Sequence, residues 1–284
     1  MSFSFIKKPR LFAFDLDGTL LNSKKELSSK TIKALAEISD AHMLITFASG
    51  RIKSSIRQYL QHCSFPVSIL ALNGATVYAD SKHGDRKIYD ASLSPEYADY
   101  PIEYSEKNFI AANYYFDEQL YAVKNQKTAP WLELYFNQTR STYVFESSLN
   151  RFFGKSPSKI IFISSPQILD EQQRFFTKLW GSSIYLCRTW DYYLEFLNPL
   201  ANKGLGLKAL ADFYQISMDE IISFGDALND IPMLQMAGFS VAVNNASEEV
   251  KNAAKRVSTW DNDQDAIMHE WELIKKTLFL RSCK

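Results

Sequence analysis

The chain has 284 residues, of which 46% are hydrophobic and 23% are charged, and these values are ordinary for a soluble globular protein. Its 32 basic and 32 acidic residues balance, which argues against a bulk binder of nucleic acid but not against a focused site for a small anion. The length allows one large domain or a core with an inserted second domain.

Cysteine usage and the N-terminus indicate a reducing compartment. Cys63, Cys187 and Cys283 lack CxxC spacing, so they predict neither a disulfide framework nor a zinc site. The first ten residues have no apolar h-region, and no apolar stretch is long enough to span a bilayer. We therefore expect a cytoplasmic protein without a membrane partner, either a monomer or a homodimer.

The first predicted element is an apolar strand that ends in Asp15 and Asp17, followed at once by a turn at Gly18. Clustered carboxylates repel each other and resist desolvation, so a buried strand rarely ends this way unless a cation is bound there. Mg²⁺ is the simplest such cation because it prefers oxygen ligands. The alternative is an ordinary strand followed by an Asp-Gly turn.

Strands and helices then alternate as far as Gly74. A helix from Ser28 or Ser29 to about Ser39 is followed by a strand over 43–48, a helix around 54–62 and a strand over 67–72. Three strands joined by helical crossovers predict parallel pairing in a doubly wound α/β sheet. Ligands bind outside the carboxyl ends of such strands.

The pattern changes from Thr76 and returns to strand–helix alternation near Asn202. Two short strands over 76–79 and 86–89 predict a β-hairpin. The predicted elements that follow are a helix over 94–108, strand-like residues 110–123, a strand over 159–163, a helix over 167–180, and strands over 184–187 and 192–197. We therefore predict an inserted α+β domain over 86–197, in a core made of 1–85 and 198–284.

The last part of the chain completes the predicted core. Ser217 and Glu220 form a capping-box pattern just before a strand over 221–224. The other predicted elements are helices over 203–214, from Asp230 and Pro232 to Met236, over 247–257 and from Asp261 onward, with a strand over 239–243.

Four polar clusters lie at predicted strand ends or helix starts, and together they suit phosphoryl transfer. They are Asp15 with Asp17, then Ser49, then Lys203, and finally Asp226 with Asn229 and Asp230. One carboxylate can serve as the nucleophile and a second can move the proton. A metal ion, a lysine and a hydroxyl group can hold the charged phosphate oxygens.

The chain resembles the haloacid dehalogenase superfamily of phosphatases, in its Cof-type sugar-phosphatase branch. The resemblance covers essentially the full length and rests on motifs in the expected order. These are 15–21 (DLDGTLL), 48–51 (ASGR), 72–75 (LNGA), 202–204 (NKG), 225–230 (GDALND) and 241–251 (VAVNNASEEVK). It implies a Rossmann-like core with a cap domain between the second and third motifs, and a Mg²⁺-dependent phosphomonoester hydrolase that forms an aspartyl-phosphate.

The resemblance also implies a role for each motif residue. Asp15 is the nucleophile and a metal ligand, and Asp17 is the general acid/base and a metal ligand through its backbone carbonyl. Asp226 binds the metal, and Asp230 completes the outer shell of the metal through water. The residues implied to bind phosphate or substrate are Ser49, Gly50, Arg51, Asn73, Lys203 and Asn229. For Arg51 and Asn73 a purely local structural role is an equal alternative.

The substrate class implied by the resemblance is a small phosphorylated metabolite, such as a sugar phosphate or a vitamin-derived phosphate. The alternatives are a phosphomutase that uses the same aspartyl-phosphate and a non-catalytic metabolite sensor. The chain departs from the family at Ala227, where glycine or serine is frequent, and residues 129–156 match no family pattern. Five cap side chains are candidate substrate contacts, although an aromatic stripe more often forms domain core: Tyr114, Tyr115, Trp131, Tyr135 and Arg188.

Overall fold

The computed structural model describes residues 7–80 and 83–282. Cys283 and the first six residues, on which the signal-peptide prediction partly depends, lie outside the described residues. The chain divides into a core unit, Met1–Asp90 with Asn202–Lys284, and an inserted unit, Ala91–Ala201. Among the described residues, none of the helices has both the length and the apolar character needed to cross a bilayer.

Strands and helices are numbered in chain order. The strands are β1 (Leu11–Asp15), β2 (Leu44–Ala48), β3 (Ser68–Ala71), β4 (Thr76–Tyr78), β5 (Lys87–Asp90), β6 (Ala111–Phe116), β7 (Gln119–Val123), β8 (Tyr143–Glu146), β9 (Lys159–Ile163), β10 (Tyr185–Trp190), β11 (Tyr193–Leu197), β12 (Ile221–Gly225), β13 (Phe239–Ala242) and β14 (Arg256–Val257). The α-helices are α1 (Ser29–Asp40), α2 (Lys53–Leu60), α3 (Pro95–Lys107), α4 (Ala129–Thr139), α5 (Pro166–Trp180), α6 (Lys203–Phe213), α7 (Ile231–Met236), α8 (Glu248–Ala253) and α9 (Ala266–Ser282).

The core unit contains an eight-stranded sheet in the order β14-β13-β12-β1-β2-β3-β4-β5. Strands β14 to β3 pair in parallel, and β4 and β5 form an antiparallel hairpin at one edge. The predicted doubly wound α/β core is confirmed. Because β5 pairs with β4 in this sheet, the core unit extends to Asp90, whereas the sequence placed its boundary at residue 85.

Strand β1 is fully buried and faces a helix layer on each side. Leu11 and Ala13 lie in a hydrophobic cluster with Leu207 of α6, while the ring of Phe12 on the opposite face meets the ring of Trp271 on α9 edge to face at 5.8 Å. Side chains alternate along a strand, so the carboxylate of Asp15 lies on the same face as Leu11 and Ala13, toward α6. The apolar pattern of β1 thereby fixes where its terminal carboxylate points.

The last predicted helix but one is shorter than the sequence indicated. The pattern over 247–257 predicted a single helix, but α8 ends at Ala253 and the chain is extended at Ala254. Arg256 and Val257 instead pair with Val241 and Ala242 of β13. Sheet pairing satisfies the backbone groups of these two residues, so tertiary context overrides the local helical pattern.

The inserted unit is an α+β domain with a six-stranded sheet in the order β10-β11-β9-β6-β7-β8. All neighbouring strands are antiparallel except β7 and β8. Its core is aromatic, and Tyr114 lies in it fully buried. The hydroxyl groups of Tyr115 and Tyr135 bond to each other at 2.5 Å, and Arg188 pairs with Asp170. Tyr115, Tyr135 and Arg188 thus bond to residues of the inserted unit itself. Their role as substrate contacts stays a prediction.

Replacing Gly206 by Ala is expected to lower stability by about 1–3 kcal/mol. Alanine normally favours a helix interior over glycine by about 1 kcal/mol. A Cβ at Gly206 on α6, however, would lie 2.9 Å from the Cα of Gly74, so α6 or the turn after β3 would have to shift. Thermal unfolding followed by circular dichroism measures the effect. Lys208→Ala on the exposed face of α6 is the control, and a Gly206→Ala protein that melts at or above the wild-type temperature would contradict this packing argument.

Candidate active site

The predicted site residues gather at the carboxyl ends of four neighbouring parallel strands. Asp15 is the last residue of β1, Ser49 follows β2, and Asp226 follows β12. Asn73 lies in the turn Leu72–Gly74 directly after β3. Because these strands are adjacent and parallel in the sheet, their carboxyl ends meet at one edge.

Lys203 lies at the centre of this site. It is the first residue of α6. The side chain of Asn202 caps the N-terminus of this helix by accepting a hydrogen bond from the backbone N–H of Leu205 at 2.9 Å. The ammonium group of Lys203 donates to Oδ1 of Asp15 and to Oδ1 of Asp230, each at 2.5 Å, and all three side chains are buried. A buried ammonium group requires such anionic partners.

Asp230 is bound through both carboxylate oxygens. Oδ1 accepts from Lys203, and Oδ2 accepts from the backbone N–H groups of Asp226 and Ala227, each at 3.0 Å. The side chain therefore fixes the turn after β12 and orients Lys203. The Ala227 position participates only through its backbone, so the departure from the family pattern there leaves these contacts intact.

Asp17 lies apart from this buried group and pairs with cations. The guanidinium group of Arg51 donates from Nε and Nη2 to its two carboxylate oxygens, both at 2.7 Å, and Lys25 donates to Oδ1 at 2.9 Å. Burial alone would raise the pKa of Asp17, but the hydrogen bonds and charge of Arg51, followed by those of Lys25, outweigh burial and lower this pKa to about 2. Asp17 is therefore ionised in this conformation.

Two side chains without a predicted role fix the turn after β1. Thr19 donates its hydroxyl hydrogen to Oδ1 of Asp226 at 2.7 Å, and Asn245 donates to the carbonyl oxygen of Gly18 at 2.8 Å. Gly18 has a φ of 92° and lies against the carboxylate of Asp226, where a Cβ would clash. Thr19 and Asn245 fall within quoted motifs, so motif membership was the available signal, whereas no sequence signal pointed to Lys25.

The remaining predicted residues form two further contacts. The hydroxyl oxygen of Ser49 accepts from the backbone N–H of Arg51 at 3.2 Å, and Ser49 is buried. Asn229 donates from Nδ2 to Oδ1 of Asn73 at 2.9 Å. A Cβ at Gly50 would lie 3.2 Å from that same oxygen, so Gly50 allows the side chain of Asn73 to approach the backbone.

The sequence profile described as haloacid dehalogenase-like hydrolase matches residues 12–270. The chain belongs to this family. It is 29% identical over 242 residues to an HMP-PP phosphatase of Cronobacter sakazakii, covering 85% of this chain and 86% of that protein. It is 27% identical over 275 residues to a 5-amino-6-(5-phospho-D-ribitylamino)uracil phosphatase of Bacillus subtilis, covering 92% of this chain and 95% of that protein.

Solved structures lead to the same family. A crystal structure of a Thermotoga maritima protein superposes with a TM-score of 0.85 at 30% identity, over 93% of this chain and 97% of that one. A Bacteroides thetaiotaomicron haloacid dehalogenase-like hydrolase superposes with a TM-score of 0.84 at 25% identity, over 94% of this chain and 100% of that one. The predicted family, fold class and enzyme class, a phosphatase, are confirmed.

The acidic cluster of this hydrolase fits the Mg²⁺ ion that its family implies. Carboxylate oxygens of Asp15, Asp226 and Asp230 all lie within 4.8 Å of one another. Oδ2 of Asp15 is buried and has no hydrogen-bond donor among the residues that the structure describes. Lys203 donates to two of these three carboxylates, those of Asp15 and Asp230, and carboxylate oxygens are the ligands that Mg²⁺ prefers.

Electrostatics favour a cation at the same place. Burial, and then the charge of Asp230, raise the pKa of Asp15 well above its usual value, although Lys203 opposes them. Burial also raises the pKa of Asp226, and the charge of Asp230 adds to that effect. Burial disfavours the ammonium form of Lys203, but the charges of Asp15 and Asp230 outweigh it and raise the pKa of Lys203. A cation among the carboxylates would favour their ionised forms.

Proposed function

We propose that this phosphatase is a Mg²⁺-dependent phosphomonoester hydrolase that acts on small phosphorylated metabolites through an aspartyl-phosphate on Asp15. The observation that carries the proposal is the buried Lys203, which contacts Asp15 and Asp230 beside the carboxylate of Asp226. A carboxylate at the end of a strand, next to a fixed cation and further carboxylates, suits attack on a phosphorus atom whose oxygens carry negative charge.

The first chemical step uses Asp15 and Asp17. A carboxylate oxygen of Asp15 forms a bond to phosphorus, the bond from phosphorus to the leaving oxygen breaks, and Asp17 supplies the proton to that oxygen. Lys203 and Ser49 hold the phosphate oxygens. Asp15, Asp226, the backbone carbonyl of Asp17 and, through water, Asp230 would hold Mg²⁺, whose charge would offset that of the negative phosphoryl oxygens.

The second step returns the enzyme to its starting state. Asp17 takes a proton from a water molecule, the water oxygen bonds to phosphorus, and the bond between phosphorus and Asp15 breaks. Orthophosphate is released, and Asp15 is again a free carboxylate. Asp17 thus needs to give and accept a proton, whereas Asp15 has to be ionised at the start of each cycle.

In this proposal Arg51 binds Asp17 before the substrate arrives and binds the phosphate afterwards. Both oxygens of Asp17 accept from Arg51, so at least one of them has to leave the guanidinium group before Asp17 can carry a proton. A phosphate dianion is a matching bidentate partner for the same guanidinium group. We therefore infer that the bound phosphate replaces Asp17 on Arg51 and frees Asp17 for proton transfer.

The proposed substrates are sugar phosphates or vitamin-derived phosphates. The relatives named above are phosphatases of HMP-PP and of 5-amino-6-(5-phospho-D-ribitylamino)uracil, which supports this class without selecting one member. Residues 129–156 match no family pattern and belong to the inserted unit, so that unit is the proposed source of selectivity.

Removal of divalent metal is expected to abolish release of orthophosphate from a generic aryl phosphate, and added Mg²⁺ is expected to restore it. In Asp226→Asn, the Mg²⁺ concentration for half-maximal activity should rise by about tenfold or more, because a carboxylate ligand is lost. Phosphate release measured against Mg²⁺ concentration tests both. Asp219→Asn, an exposed carboxylate near the start of β12, is the matched control.

The same assay separates the alternatives. Full activity after exhaustive chelation would rule out the metal requirement. Orthophosphate release without any sugar bisphosphate would count against a phosphomutase, and metabolite binding without turnover would indicate a sensor.

A further inference from the structure

The turn Leu72–Gly74, directly after β3, has an unfavourable backbone conformation. Its three residues have positive φ values of 51°, 59° and 83° in succession. Only the last is a glycine, and Leu72 is a bulky, buried residue for which a left-handed conformation costs about 1–2 kcal/mol. Such a conformation persists only where the surrounding contacts impose it.

Backbone hydrogen bonds connect this turn to the segment after β2. The N–H of Leu72 donates to the carbonyl oxygen of Arg51, and the N–H of Asn73 donates to the carbonyl oxygen of Ser49, both at 2.9 Å. The turn therefore fixes the backbone of two residues that are proposed to contact the phosphate.

The other side of the turn lies against the segment that carries Lys203. A Cβ at Gly74 would lie 2.5 Å from the carbonyl oxygen of Asn202 and 3.1 Å from the Cα of Lys203. A Cβ at Gly206, one turn further along α6, would lie 2.9 Å from the Cα of Gly74. Two backbones thus touch directly, and the position of the turn sets the position of the N-terminus of α6.

The side chain of Asn73 makes the third connection. Its Oδ1 accepts from Nδ2 of Asn229 at 2.9 Å, across 156 residues of sequence. Asn229 belongs to the short turn Leu228–Asp230, whose last residue holds the ammonium group of Lys203. One N–H of Asn229 is used by Asn73, so the exposed amide of Asn229 is fixed in orientation.

We infer that Asn73 is a positioning residue that acts through Asn229 rather than by contact with the substrate. Its left-handed backbone, which asparagine tolerates better than most residues, lets one side-chain oxygen fix the amide of Asn229 beside the reacting group. The inference rests on the proposed phosphatase function, and it assigns Asn229, not Asn73, as the group that faces the phosphate or the metal.

A double-mutant cycle with Asn73→Gly and Asn229→Ala tests this role. Glycine accepts a φ of 59° without strain, so Asn73→Gly removes the amide and leaves the backbone of the turn. Each single variant is expected to lower kcat for aryl phosphate by about three- to tenfold, the value of one hydrogen bond. The kcat of the double variant should be no lower than that of Asn229→Ala. The two variants should also have the same inhibition constant for orthophosphate.

Multiplicative losses of kcat, or weaker inhibition by orthophosphate when Asn73→Gly is added to Asn229→Ala, would mean that Asn73 contacts the phosphate itself and would overturn the inference. His42→Gly is the backbone control, because exposed His42 has the same φ of 59° and lies outside the site. The two failures are distinguishable. Wild-type protein that releases no phosphate overturns the proposed function, whereas multiplicative losses in an active protein overturn only the positioning role.

Discussion

Asp15→Asn is expected to lower phosphate release by about 10⁴-fold or more while the protein stays folded. The amide cannot form an acyl phosphate, but its oxygen can still accept from Lys203. Burial raises the pKa of Asp15, which means that the ionised carboxylate is unfavourable in the folded protein. A neutral amide avoids that cost, so Asp15→Asn should melt at or above the wild-type temperature in the presence of a chelator.

Asp17→Asn separates nucleophilic attack from proton transfer. With an aryl phosphate, whose leaving group needs little protonation, the first step should persist, while hydrolysis slows by about 10²–10⁴-fold. Covalently bound phosphate should then accumulate, which acid quenching followed by mass spectrometry detects. Asp219→Asn is the control for loss of an acidic side chain.

Phosphate release that survives in Asp15→Asn would contradict the assignment of Asp15 as the nucleophile.

Lys203→Met is expected to cost both activity and stability. The side chain is buried between Asp15 and Asp230, so methionine leaves these carboxylates without their cation. Removal of one partner from a buried ion pair typically costs about 3–5 kcal/mol. Loss of the positive charge that Lys203 is proposed to place against the phosphate should lower kcat by about a hundredfold or more. Thermal unfolding and phosphate release measure the two effects.

The stability loss in Lys203→Met should depend on pH in a defined direction. The folded-state pKa of Asp15 is already above its unfolded value, and removal of Lys203 raises it further. Between the unfolded-state and folded-state pKa values of Asp15, the folded protein binds more protons than the unfolded protein. The stability of the folded variant therefore falls as the pH rises through that range. With a chelator present, the difference in melting temperature from wild type should therefore be larger at neutral pH than at acidic pH.

Lys208→Met is the matched control for this variant. Lys208 lies on the same helix, but it is exposed and pairs with Asp212 only at the surface. Its replacement should change stability by less than about 0.5 kcal/mol. If Lys203→Met were as stable and as active as Lys208→Met, Lys203 would have no structural or catalytic importance.

Local sequence patterns predicted most of the core. Ser28 caps α1 and the Ser217–Glu220 capping box precedes β12, as the sequence indicated, because capping depends on residues three positions apart. Parallel pairing of β1, β2 and β3 followed from their helical crossovers. Patterns failed where distant pairing decides the outcome, as in β14, whose residues pair with β13 instead of extending α8.

The chemistry proposed for the site was predicted from the residues alone. Two carboxylates after a buried strand, a lysine at a helix start and a second acidic group after another strand predicted phosphoryl transfer, because adjacent parallel strands bring their carboxyl ends together. What each side chain binds required the folded structure. Arg51 reaches Asp17 over 34 residues, and Asn229 reaches Asn73 over 156 residues. Such pairs depend on side-chain directions and on packing between separate elements, and neither periodicity nor spacing along the chain encodes them.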